Sequence, residues 1–211
     1  LDFSGCVPLP IPADADIHIP QRPGYLTAIT PQGQLWLLRL PNLQIIRQIA
    51  LLSYSISPED VRWSPDGRYL AYCGGTSSGD TDVYLYDLEK DAISHVSWEA
   101  ESVRLMDWSP DSRWLVYAEV QLDPTASAES VTRVMRVAPG ETAFELLQEA
   151  DGNEVFGKWI TPHSLLLANQ SSEGWKDNLR AVDLESGEVR SIYPFVFDAF
   201  DIAAQSLTVL V

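Results

Sequence analysis

Little in this chain marks it for one particular chemistry. Of its 211 residues, three are histidine and two are cysteine. The two cysteines, Cys6 and Cys73, permit a single disulfide and say little about redox compartment. Positive charge is scarce: 14 lysines and arginines stand against 30 aspartates and glutamates, for a formal net charge of −16. That balance speaks against a nucleic-acid-binding surface, which needs clustered positive charge. It does not by itself identify a cation-binding role, because a charged, solvated surface also serves to keep a protein soluble. No run of ~18 apolar residues is present, so no transmembrane segment is expected. Convincing helical periodicity is missing as well.

What the sequence carries instead is a phrase that recurs. Val61-Arg62-Trp63-Ser64-Pro65-Asp66-Gly67-Arg68-Tyr69-Leu70-Ala71-Tyr72 returns as Met106-Asp107-Trp108-Ser109-Pro110-Asp111-Ser112-Arg113-Trp114-Leu115-Val116-Tyr117. Each copy reads as a strand ending in Trp, a polar turn, then a second apolar strand. Fainter copies place Ile19 and Trp159 at the anchor, and a fifth start lies at Phe200–Leu207. The anchors at 19, 63, 108, 159 and about 202 are 44, 45, 51 and about 43 residues apart. One insertion, Gln121–Ser130, accounts for the long interval. Such a period is the signature of a β-propeller, each repeat forming one four-stranded blade.

The remainder of each unit fits that reading. Alternating third strands are expected at Gln34–Leu40, Asp82–Leu88 and Asn178–Leu184. Fourth strands are expected at Ile45–Leu51, Ile93–Trp98, Ala143–Leu147 and Val189–Tyr193. The expected architecture is all-β: four complete antiparallel four-stranded blades at about 16–51, 60–98, 103–148 and 154–194, and a partial fifth at 198–211. Residues 1–15 form a Pro-rich leader ahead of the propeller at 16–211. Propellers close into rings of roughly 4–8 blades. A chain that ends inside an apolar strand and lacks an initiating Met therefore reads as a fragment of a larger propeller, with a small five-bladed ring as the alternative.

The phrase Trp63-Ser64-Pro65-Asp66-Gly67 with Leu70-Ala71-Tyr72, followed by Asp82-Val83-Tyr84-Leu85-Tyr86-Asp87-Leu88, resembles the WD-like "PD" repeat of TolB-type propellers. That repeat also occurs in propellers attached to prolyl-oligopeptidase-type hydrolases. The resemblance covers about residues 16–211 and implies fold more than function. In such a turn Pro65 sets φ, Asp66 bonds nearby amides and Gly67 takes a positive φ. The tryptophans are expected to pack between blades. Ser112 stands in place of Gly67 in the third unit and Arg22-Pro23 in place of Asp66-Gly67 in the first, so those turns are expected to differ in shape.

No catalytic, cofactor-binding or metal-binding residue emerges. Gly75-Thr76-Ser77-Ser78-Gly79 matches the hydrolase G-x-S-x-G pattern, but no helix follows it, and it reads as a hairpin loop. His18, His95 and His163 fall on different blades, so spacing gives no triad. Asp14 with Asp16, and Asp80 with Asp82, are too few for an oxygen-ligand cation loop and read as solvated residues or strand-end turn formers. Asn169-Gln170-Ser171 matches a glycosylation sequon of little weight. Cys73 is expected to be a small core residue, with a Cys6–Cys73 disulfide as an option.

One constellation stands out. The residue before each anchor is polar: His18, Arg62, Asp107, Lys158 and Asp201. The first strand of a propeller blade is innermost, so these five are expected to recur around the channel. The plainer reading is inter-blade ion pairs. The functional reading is a polar mouth that holds a small ligand or a partner's side chain. The long loop Val120–Val131 is a candidate partner contact or a plain spacer.

Two functions of different class follow. The first is a non-catalytic, TolB-like binding scaffold for a protein or peptide partner, with no cofactor. It is expected to be extracytoplasmic (periplasmic or cell-surface). Leu1–Cys6 has a small-small-Cys ending similar to a bacterial lipoprotein processing site, which would put a lipid anchor on Cys6. The alternative is the propeller of a prolyl-oligopeptidase-type peptidase or a polysaccharide lyase, whose catalytic part lies outside this chain.

Overall fold

The computed structural model describes residues 15–20, 24–51, 60–75, 81–97, 102–122, 130–141, 144–151, 154–170, 176–195, 201–202 and 209–210. They are assembled into four antiparallel four-stranded sheets, each in the order first-second-third-fourth strand. Blade 1 comprises β1 (Asp16–His18), β2 (Tyr25–Ile29), β3 (Gln34–Arg39) and β4 (Gln44–Leu51). Blade 2 comprises β5 (Val61–Trp63), β6 (Tyr69–Gly75), β7 (Thr81–Asp87) and β8 (Ala92–His95). Blade 3 comprises β9 (Ser102–Trp108), β10 (Leu115–Leu122), β11 (Ser130–Val137) and β12 (Phe144–Asp151). Blade 4 comprises β13 (Glu154–Thr161), β14 (Ser164–Gln170), β15 (Lys176–Asp183) and β16 (Val189–Tyr193). A partial fifth sheet pairs β17 (Asp201–Ile202) with β18 (Val209–Leu210).

The second strand of each blade is largely apolar on both faces, and successive residues join different cores. Leu70 and Tyr72 of β6 pack with Leu35 and Leu37 of blade 1. Ala71 and Cys73, between and after them, pack with Trp108, Leu115 and Tyr117 of blade 3. In β10, Leu115 and Tyr117 belong to that core, whereas Val116 and Ala118 pack against Trp159, Leu165 and Leu167 of blade 4. The period of two thus directs alternate side chains to the preceding and the following blade. Outer strands are more exposed, with Ile45, Ile93, Leu146 and Val189 open to solvent.

Two expectations need correction. Cys73 is a buried free thiol in the blade 2–blade 3 core, so no Cys6–Cys73 disulfide forms. Burial pushes that thiol up to about 12, so it is an inert packing residue. The third unit's turn also does not change shape. Ser112 takes φ 62°, next to 67° for Gly67. The two turns carry the same bonds. Asp66 Oδ1 accepts from Ser64 Oγ and the Arg68 amide, and Asp111 Oδ1 accepts from Ser109 Oγ and the Arg113 amide. The Ser112 hydroxyl also accepts the Asp66 amide of the neighbouring blade at 3.0 Å, which offsets the strain of a left-handed serine. The turn at 22–23 lies outside the described residues, as does Cys6.

Candidate functional site

The anchors and the residues before them divide the inter-blade contacts between them. Trp63 pairs with Leu70, on the face of blade 2 that meets blade 1. Arg62 pairs with Ala71, on the face that meets blade 3. Likewise Asp107 pairs with Val116, on the face toward blade 4. Each Trp therefore points back along the chain, and the residue before it points forward.

The backward contact ends in a hydrogen bond. Trp108 Nε1 donates to the Arg62 carbonyl at 3.1 Å, and Trp159 Nε1 donates to the Asp107 carbonyl at 3.3 Å. Trp63 makes the equivalent contact through an intermediary. Its Nε1 donates to Thr27 Oγ1 at 3.1 Å, and that hydroxyl donates to the His18 carbonyl at 3.4 Å. Each contact ends, directly for Trp108 and Trp159 and through the Thr27 hydroxyl for Trp63, on the main chain of the residue before the previous anchor. Its side-chain chemistry is not used by this bond.

Those side chains sit in one electrostatic environment. Asp107 reaches forward, its Oδ1 accepting the Trp108 amide at 2.9 Å and its Oδ2 the Trp159 amide at 3.3 Å. Burial raises its carboxyl above the ordinary range, and these amides, Arg62 and Lys158 counteract only part of that. Burial lowers the His18 imidazole, and the nearby Arg62 cation lowers it further against an opposing Asp16. His18 Nε2 is buried and has no hydrogen-bond partner. Among the described residues no ion pair joins Arg62 to Asp107; the carboxylate is held by backbone amides instead. Lys158 lies on β13 and Asp201 on β17; the Asp201 side chain is outside the described set.

The other candidates fare differently. His18, His95 and His163 lie in blades 1, 2 and 4, on β1, on β8 and in the β14-leading turn. Asp82, at the start of β7, is not solvated: it is 6% exposed, its Oδ1 accepts from Ser97 Oγ at 3.2 Å, and its Oδ2 lies 2.9 Å from His95 Nε2. The aspartate sits between the serine and the histidine, so this is not a nucleophile–base pair. Residues 76–80 and 123–129, including Ser77 and most of the long loop, lie outside the described residues. No group of three or more His, Cys, Asp or Glu is placed to hold a metal among the described residues. No described helix is long and apolar enough to cross a membrane. Sequence reasoning missed two buried polar groups, Glu119 and Arg180.

Comparison with known proteins fits this geometry. The family model for the anaphase-promoting complex subunit 4 WD40 domain matches residues 25–113. No curated protein matches the sequence. TolB from Acinetobacter baumannii is similar in structure, with a TM-score of 0.50 and 14% identity over 81% of this chain and 41% of that one. The tricorn protease is similar with a TM-score of 0.65 and 15% identity, over 92% of this chain and 23% of that one. An acylaminoacyl peptidase from Pyrococcus horikoshii gives a TM-score of 0.60 and 16% identity, over 90% of this chain and 34% of that one. The chain therefore spans well under half the length of each of these proteins. The anchors, the blades and these likenesses agree on the fold: the chain is a β-propeller, and its residues 25–113 match a WD40-domain model.

Proposed function

We propose that this chain is a non-catalytic binding scaffold whose inner strands present His18, Arg62, Asp107, Lys158 and Asp201 to a protein or peptide partner. One observation carries the reading. The indole bonds of Trp108 and Trp159 end on the main-chain carbonyls of Arg62 and Asp107, so these bonds do not require an ionisable side chain at either position, although the Asp107 carboxylate also accepts the Trp159 amide. Ionisable groups occur there nonetheless, and His18 keeps a buried, unpartnered Nε2 beside a cation. Polar groups of mixed sign around one channel mouth suit recognition of a charged or amide-bearing side chain. The WD40 match favours a protein partner. An extracytoplasmic location and a lipid anchor at Cys6 belong to the same proposal, on the likeness to TolB and the small-small-Cys ending.

The test is Arg62→Leu, compared with the wild type in thermal unfolding and in affinity capture followed by mass spectrometry. A partner captured by the wild type and lost by a variant of unchanged melting temperature supports the scaffold. A variant that melts early and keeps its partner returns Arg62 to a structural role.

A second reading is the propeller half of a peptidase. It is favoured by the coverage of about nine-tenths of this chain by the Pyrococcus peptidase. The sequence of the parent open reading frame separates the two. A G-x-S-x-G elbow in α/β periodicity beyond residue 211 would make this chain the substrate-gating half of a hydrolase.

A further inference from the structure

Arg180 stands where the other blades place an apolar side chain. Opposite Ala28, Tyr72 and Tyr117 on the second strands lie Trp36, Tyr84 and Met135 on the third. Opposite Leu167, the corresponding residue of blade 4, lies Arg180. Leu167 belongs to the blade 3–blade 4 core, so the guanidinium enters that interface. It is 7% exposed.

Its hydrogen bonding is half complete in a directed way. Nη1 donates to Asn169 Oδ1 at 3.2 Å. Nε and Nη2 are buried and have no partner. These two nitrogens form the side-on edge of the guanidinium, the fork whose two N–H groups match the two oxygens of a carboxylate. Asn169 thus fixes the plane and leaves the recognition edge open. Burial lowers the affinity of the group for its proton, and Asp177 opposes that without bonding either nitrogen. Across the interface, on blade 3, Gln148 and Thr132 pair with residues of the same face, and the Gln148 Oε1 is likewise buried and unpartnered. A buried cation with two unmet donor nitrogens is destabilising unless an acceptor arrives.

We infer that Arg180, oriented by Asn169, is a binding site for a carboxylate group at the junction of blades 3 and 4. Asn169, which bonds the guanidinium, and Asp177 are partly exposed. The proposal goes beyond the scaffold reading and does not depend on it: the inner-strand set and Arg180 are different positions of the fold, and either can fail alone.

The test follows the arginine Nε–H resonances of the isotopically labelled full chain while glutarate is added, with chloride at matched ionic strength as control. Arg180→Lys identifies the Arg180 resonance by its disappearance. The expected result is a saturable shift of that resonance with glutarate and none with chloride, together with a rise in melting temperature. In Arg180→Lys, which lacks that resonance, the apparent affinity read from the glutarate dependence of the melting temperature should fall roughly tenfold or more, since a lysine cannot offer the two-pronged edge. If that variant does not fold, Asn169→Ala provides the second arm, with weaker glutarate binding expected from the loosened guanidinium. A resonance unmoved by glutarate overturns the proposal. So does one that is already shifted and protected from exchange without ligand, because a carboxylate of the chain itself would then occupy the fork.

Discussion

The indole Nε1–H of Trp108 donates to the carbonyl of Arg62, 46 positions earlier in the chain, at 3.1 Å. The bond joins adjacent blades at the innermost strand, and Trp159 repeats it on Asp107. Because it uses main chain as acceptor, it constrains the Trp and leaves the acceptor residue's identity open. That asymmetry explains why the anchors are legible as a repeat while the residues before them vary in sign.

Replacing the indole tests this linkage. Trp108→Phe retains an aromatic ring and loses the N–H, and a cost of about 1–3 kcal/mol is expected from the lost bond and the smaller ring. Trp159→Phe should behave alike. Thr27→Val should cost about 1–3 kcal/mol as well, since it removes the buried acceptor of the half-buried Trp63 indole N–H. Urea unfolding of the three variants checks this; a neutral Thr27→Val would show that the hydroxyl relay carries no weight.

The turn of blade 3 gives a second, sharper comparison. Ser112 holds φ 62° and accepts the Asp66 amide across the blade boundary. Ser112→Ala keeps the strain and loses the bond, for a cost of about 1 kcal/mol. Ser112→Gly loses the bond but relieves the strain, by a similar amount of about 1 kcal/mol. Alanine should therefore be the worse replacement, although it is the closer in size. Equal melting temperatures for the two variants would deny the hydroxyl its role.

How far the sequence could be read depended on the range of the interaction. The Trp anchors were legible because they repeat, although their bonds span 36 to 52 residues, and the Ser-Pro-Asp turns because their bonds are local as well. Ser112 was misread because its compensating partner, the Asp66 amide, lies in another blade. Asp82 read as a solvated residue or strand-end turn former because Ser97 and His95, which enclose it, come from a different strand. Arg180 had no local signal at all: in Asn178-Leu179-Arg180-Ala181 a charged residue at an alternate position looks like a solvent face. Only the registry of blade 4 against blade 3 turns that face inward.

Asp87 should make the fold sensitive to acid. Burial alone would raise its carboxyl, but the Arg68 guanidinium and the Lys90 and Glu89 amides outweigh it and hold it below the ordinary value. Oδ1 accepts from the Glu89 amide at 2.9 Å, and Oδ2 from Arg68 Nη2 at 3.0 Å. A depressed carboxyl contributes stability above its unfolded pKa, about 3.9 for aspartate, and loses it as pH falls through the folded value. Asp87→Asn should thus be less stable than the wild type at pH 7, with the gap closing under strong acid. A gap that stays constant across that titration would remove the ion pair from the account.

Glu119 should act in the opposite sense. It is 4% exposed, its Oε1 is buried without a partner, and burial raises its carboxyl, an effect that the Tyr117 hydroxyl and Arg133 only partly counter and that Asp82 reinforces. A raised carboxyl favours folding while protonated, and that contribution is lost as pH rises from the unfolded value, about 4.3, through the folded one. Glu119→Gln keeps the shape and removes the charge. It should match the wild type near pH 4 and exceed it in melting temperature at pH 7 to 8. The order of the two curves is the decisive reading. If the glutamine variant melts lower at neutral pH, the carboxylate is held charged by its neighbours and the burial argument fails at this position. If it melts higher, the fold keeps a buried acid that costs it stability, and Glu119 takes its place beside Arg180 as a polar group the blade packing alone does not require.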